Sequence, residues 1–169
     1  MIFKRHSTTS NALAARRAIG VSFCCLGLIA LTGCDKPKEA QKEVKEATLE
    51  IESDGDFPVF VPDELTVPTG AKVKLTFHHT GMIMTQSHDW VLVKPGTMED
   101  VETAGIEAGE ESGWVKKGDP NVLIATPLIG KGATTTVEFT APAPGDYPLM
   151  CTTPGHSEDM HGTLHVTVN

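Results

Sequence analysis

Cysteine is nearly absent from most of this sequence. The 169-residue chain has four, and only Cys151 lies beyond residue 34. A disulfide framework is therefore excluded from the folded part, which must depend on its core and on any bound metal. Basic residues are also few. The whole chain has 14 Lys and Arg against 22 Asp and Glu, and four of those bases fall within residues 1–33, so the remainder carries a net charge of −12. Nucleic acid is excluded as a partner, since phosphates are held by Lys and Arg. Partners with basic docking faces suit such a surface, where charge chiefly sets encounter rates. Long apolar runs are missing too. The longest extends from Ala18 to Leu31, short of the roughly 20 residues a membrane span needs.

What the N-terminus does have is order. Lys4, Arg5, Arg16 and Arg17 appear without an acid, the short apolar run follows, and Leu31-Thr32-Gly33-Cys34 closes it. A basic flank, a short apolar core and small residues before a cut describe a secretory signal over residues 1–33. The Leu-Thr-Gly-Cys ending resembles a bacterial lipobox, which would make Cys34 the lipidated first residue of the mature chain. A plain signal with an incidental Cys34 is the alternative. Asp35 resembles the inner-membrane retention signal of some bacterial lipoproteins. Residues 34–47 are dense in mixed charge with almost no large apolar side chain, as in a solvated tether. The expectation is an exported domain of residues 48–169, lipid-anchored on the periplasmic side, at the inner membrane.

Within that domain, short alternating segments are separated by Gly and Pro. Lys72-Val-Lys-Leu-Thr-Phe77 places Val73, Leu75 and Phe77 on one face, and Thr134–Thr140 alternates between Gly132 and Pro142. Further extended pieces are expected at Thr48–Ile51, Phe57–Val61, Glu64–Val67, Trp90–Val93, Tyr147–Cys151 and Gly162–Val168. Many short strands with such punctuation predict an all-β antiparallel sandwich or barrel. Met98–Glu111 is the exception, acid-rich and partly helical in spacing, and predicts one short helix or flap.

Chemistry concentrates near the C-terminus. Cys151-Thr-Thr-Pro-Gly-His156-Ser-Glu-Asp-Met160 brings a thiol, an imidazole and a thioether into one loop that Pro154-Gly155 turns back on itself. A second imidazole stands upstream in Ser87-His88-Asp89-Trp90. Two His, one Cys and a weak axial Met form the ligand set of a blue-copper electron-transfer site, in which both copper oxidation states share one geometry. Each residue alone has an ordinary reading: Cys151 as a small buried hydrophobe, Met160 as a gap-filler, His88 and His156 as turn residues. A Cys nucleophile with a His base lacks any evident oxyanion loop or orienting third residue. Multicopper oxidase His-x-His and His-Cys-His sets are absent, and a binuclear copper loop would need a second Cys.

The segments Ser87-His88-Asp89-Trp90-Val91-Leu92 and Cys151-Thr-Thr-Pro-Gly-His-Ser-Glu-Asp-Met-His-Gly-Thr-Leu164, with Leu128-Ile129-Gly130 between them, resemble the azurin branch of the cupredoxin family. The resemblance covers residues 48–169 and implies a Greek-key cupredoxin sandwich. It implies one mononuclear type 1 copper ion, with His88, Cys151 and His156 in a trigonal plane and Met160 axial. It also implies a weak second axial contact from the carbonyl of Ser87, where azurins have Gly. Asp89 replaces an Asn that stiffens the ligand loop, and its carboxylate should favour Cu(II). Thr153 stands where azurins have Phe, and the azurin disulfide has no counterpart.

Among the other histidines, His79 shares the inward parity of Phe77 and should be buried, with a pH-linked influence on the potential as one reading. His78, His161 and His165 should face solvent. Met82, Ile83 and Met84 fit loop packing or an apolar docking patch beside the C-terminal ligand His. The expected function is a monomeric single-electron carrier serving redox proteins such as cytochromes or copper and haem reductases and oxidases. The alternative is a copper storage or delivery protein.

Overall fold

A computed structural model describes residues 45–83 and 86–168. The expected signal, Cys34, nearly all of the tether, and Met84 lie outside the described residues. Among the described residues, nine strands form two sheets. The first sheet has the order β2 (Phe57–Val61), β1 (Glu46–Asp54), β4 (Lys72–His78), β7 (Thr134–Thr140). The second has the order β3 (Glu64–Pro68), β9 (His161–Thr167), β8 (Gly145–Met150), β5 (Val91–Val93), β6 (Val122–Ala125).

The alternation in β4 works as the sequence suggests. Val73, Leu75 and Phe77 are fully buried while Lys72, Lys74 and His78 face solvent. Facing them from the second sheet are Leu65, Val67, Leu92, Leu149 and Leu164, with Trp90 and Phe139 stacked at 6.1 Å between ring centroids. Burying each large aliphatic or aromatic side chain contributes about 1.5–3 kcal/mol, so this interlayer core is the main source of stability. The expected sandwich is present, and its antiparallel pairing is broken twice. β1 pairs with β4, and β3 with β9, in parallel. The chain leaves the first sheet after β2 and enters the second at β3, so neighbours in space are not hairpin neighbours in sequence.

β5 is buried on both faces. Trp90 and Leu92 serve the interlayer core, while Val91 and Val93 pack with Met150 and Val101 beneath the helix α1 (Met98–Ala108). The helix is shorter than its acid-rich segment, because Gly109 has φ 82° and diverts the chain into a 3-10 turn at Glu110–Ser112. β6 was not expected. Its Val-Leu-Ile-Ala is a continuous apolar run without alternation, and periodicity cannot identify such a strand.

Gly162, the second residue of β9, lies against the backbone of Asp63 just before β3. A Cβ there would run into the carbonyl of Asp63, which accepts the Thr163 N–H at 2.8 Å. Gly162→Ala should therefore destabilise the metal-free protein by roughly 2–4 kcal/mol. Urea unfolding checks this, and a loss below about 0.5 kcal/mol, the range of neutral surface changes, would contradict it.

Candidate metal centre

Three loops meet at the end of the sandwich where β4 finishes. His88 is held by a two-bond bridge to Ile129, its N–H donating at 2.9 Å and its carbonyl accepting at 2.8 Å. Leu128-Ile129-Gly130 thus has a definite task, positioning the first imidazole. The second loop is closed at its base, where the Cys151 N–H donates to the Met160 carbonyl at 2.9 Å. Inside it, the His156 N–H donates to Thr153 and the Met160 N–H to His156, at 3.0 and 2.7 Å. Pro and Gly turn the chain, and these bonds fix the turn.

The donor atoms converge. Cys151 Sγ is 3.7 Å from Nδ1 of His88 and 3.7 Å from Nδ1 of His156, and the two nitrogens are 3.2 Å apart. A point equidistant from the three lies about 2.1 Å from each, which matches a metal–nitrogen bond and leaves sulfur slightly inside its usual ~2.3 Å. All three side chains are buried, His156 least so at 6 % exposure. Among the described residues this is the one cluster of such side chains with metal-ligand spacing.

Protonation also fits. His88 is lowered to about 4, first by burial and then by repulsion from His79 and His156. Burial lowers His156 as well. Both rings are therefore neutral at ordinary pH, with lone pairs free for a cation. Burial, reinforced by the Asp89 carboxylate, pushes the Cys151 thiol up to about 12. A metal must displace that proton, so uptake releases acid.

Two clasps join the ligand loops. Asp89, fully buried, accepts the Thr152 backbone N–H at 2.7 Å and the Thr152 hydroxyl at 2.5 Å. Burial raises its carboxyl to about 6 against both bonds, so it is mainly ionised at neutral pH. The second clasp runs from the Thr153 hydroxyl to the Ser87 carbonyl at 2.8 Å. That oxygen is the one the resemblance assigns to a second axial contact, and one of its lone pairs is engaged by Thr153. Thr153 differs from the azurin motif, and the sequence alone assigns it no role. A third tie, from Ser157 Oγ to Glu102 of α1 at 2.6 Å, had no sequence signal at all.

His79 is buried as expected, its ring 4.5 Å from that of His88. Its Nδ1 accepts the Gly81 N–H at 3.1 Å, which leaves Nε2 to donate to the Gln86 carbonyl at 3.1 Å. His78 and His161 are exposed, and His165, about a third exposed, lies between Asp146 and Glu64. Met160 is fully buried beside the cluster's loop, while Met82 and Ile83 are 66 % and 82 % exposed.

A buried Nδ1, Nδ1, Sγ triangle at one end of a Greek-key sandwich defines the class as a mononuclear copper protein of cupredoxin type. Comparison with known proteins agrees. A family model described as copper binding proteins, plastocyanin/azurin family, matches residues 46–167, and the chain belongs to that family. It is 38 % identical to auracyanin-A of Chloroflexus aurantiacus over 121 residues, covering 70 % of this chain and 74 % of that protein. It is 34 % identical to azurin iso-2 of a Methylomonas species, covering 65 % of this chain and 90 % of the other. Among solved structures, reduced auracyanin from Roseiflexus castenholzii superposes with a TM-score of 0.66 at 36 % identity, covering 73 % of this chain and 98 % of that one. His88, Cys151 and His156 are thus arranged to bind one copper ion.

The Asp89 carboxylate places negative charge beside the thiolate, and this favours the higher copper charge. Asp89→Asn is expected to raise the reduction potential of the copper-loaded protein. Spectroelectrochemistry reads this directly, and a potential that stays put or falls contradicts it.

Proposed function

We propose that this protein is a single-electron carrier, anchored through lipidated Cys34 to the periplasmic face of the inner membrane, whose copper cycles between Cu(I) and Cu(II). Met160 would join His88, Cys151 and His156 in holding the ion, the thiolate and thioether suiting Cu(I) and the imidazoles Cu(II). The observation that carries this reading is the preformed donor triangle, already spanning 3.2–3.7 Å and clasped from both loops. A site that need not rearrange when an electron arrives suits transfer. The relatives point the same way: the solved auracyanin A of Chloroflexus aurantiacus is a "blue" copper protein.

Access to the centre favours transfer over release. Cys151 and Met160 are fully buried, and His88 nearly so, leaving the His156 edge as the outward path. An electron crosses such an edge readily, whereas a delivery protein must let its ion leave through it. The partners in this reading are redox proteins, cytochromes or copper and haem reductases and oxidases, met transiently by a monomer. The tether exchanges free diffusion for high local concentration near them.

Copper-loaded full-length protein should show an intense absorption near the red end of the visible spectrum. Reductant should bleach it reversibly, and Cys151→Ser should abolish it. Absence of the band together with rapid loss of copper to a chelator would instead support storage or delivery. For the anchor, Cys34→Ser should move the protein from the membrane fraction to the soluble periplasmic fraction. Unchanged membrane association of that variant would contradict lipidation.

A further inference from the structure

Seven large apolar side chains are exposed among the described residues, and five of them lie on β2 or in the loop that leads to His88. Phe57, Val59 and Val61 are 69 %, 36 % and 44 % exposed along β2, which is the edge strand of its sheet. Ile83 joins them, its N–H held by Asp56 at 2.9 Å, and Met82 precedes it. Phe57, Pro58 and Ile83 share a groove with Gly155 and His156. The apolar surface thus starts at the copper ligand's outward edge and runs down β2. Phe57 to Val61 spans about 13 Å at the usual strand rise.

This stripe has an acidic border. In the register of β1 and β2, Glu52 lies opposite Val61 and Asp54 opposite Phe57. Glu50 is exposed further along β1, and Asp63 and Glu64 are exposed just past Val61. Residues 45–168 hold 19 acidic side chains against seven lysines. A second copy of the chain would set these carboxylates against their own kind, and like charges brought together cost affinity. Addition of a strand to the β2 edge is also disfavoured, since Pro58 and Pro62 lack the N–H groups that pairing needs.

Resting on the electron-carrier reading, we infer that Phe57, Val59 and Val61 extend the docking face from His156 along β2, and that the occupant is a redox protein whose apolar contact patch is ringed by Lys and Arg. The apolar stripe supplies contact area, and the carboxylates of β1 and of the β2–β3 turn steer the encounter. The partner therefore sits off-centre toward β2 rather than symmetrically over His156.

The test uses the copper-loaded protein and, as probe, a c-type cytochrome whose haem edge is surrounded by lysines. Val59→Thr/Val61→Thr keeps strand-forming side chains and leaves the groove at His156 intact. The expected result is an unchanged visible spectrum and an unchanged rate with hexacyanoferrate. The second-order rate with the cytochrome should drop roughly fivefold, as buried apolar contacts at the stripe are weakened. The wild-type cytochrome rate should also fall as salt is raised. A variant that matches wild type with the cytochrome, or a wild-type rate that does not fall with salt, overturns the inference. So does a wild-type dimer in sedimentation that the variant abolishes, because the stripe would then belong to a second copy. If hexacyanoferrate fails to exchange electrons with the wild type, the carrier reading itself is what fails.

Discussion

Two imidazole nitrogens and a thiol sulfur stand within 3.7 Å of one another at a buried end of the sandwich, and little in their own chemistry draws them there. Burial disfavours the charged forms of all three, and the neighbouring rings repel a proton on His88. Holding them together is work for the scaffold. The bridge from His88 to Ile129, the closure of Cys151 onto Met160, and the Asp89 clasp on Thr152 meet that demand. Each is a buried hydrogen bond whose loss would leave an unsatisfied polar group, at a cost of about 1–3 kcal/mol. The interlayer core behind them fixes the strand ends from which the loops spring.

Asp89 is the most consequential of these residues, because it is structural and electrostatic at once. Its carboxylate accepts both donors of Thr152, as two acceptor oxygens can, and its charge pushes the Cys151 proton affinity upward. Thr153 makes the second tie between the ligand loops. Its hydroxyl engages the Ser87 carbonyl, so the loop residue that replaces a Phe in the family motif ties the two ligand loops a second time. Both positions are departures from the azurin pattern, and both bear on how firmly the loops are locked.

Much of this was legible in the sequence. The ligand set could be read because soft and imidazole donors recur at C-x4-H-x3-M spacing with a second His beside Trp90. β4 and β7 could be read because one face of each is buried and period-two alternation follows. The parallel pairings were not legible, since alternation reports which face is buried and not which strand lies alongside. β6 escaped because its Val-Leu-Ile-Ala run lacks alternation, and the helix end was placed late because Gly109, at a positive φ of 82°, outweighs the two acidic positions Glu110 and Glu111. The clasps from Thr153 and Ser157 depend on loops far apart in sequence, and no local pattern announces them.

The central claim is that the protein holds its donor triangle ready and that the triangle does not yield when the charge on the metal changes. X-ray absorption on one copper-loaded sample, recorded oxidised and then reduced, tests this most directly. The account predicts two nitrogens and one sulfur around copper in both states, with distances agreeing within about 0.2 Å. Loss of an imidazole, or of the sulfur, on reduction would contradict it.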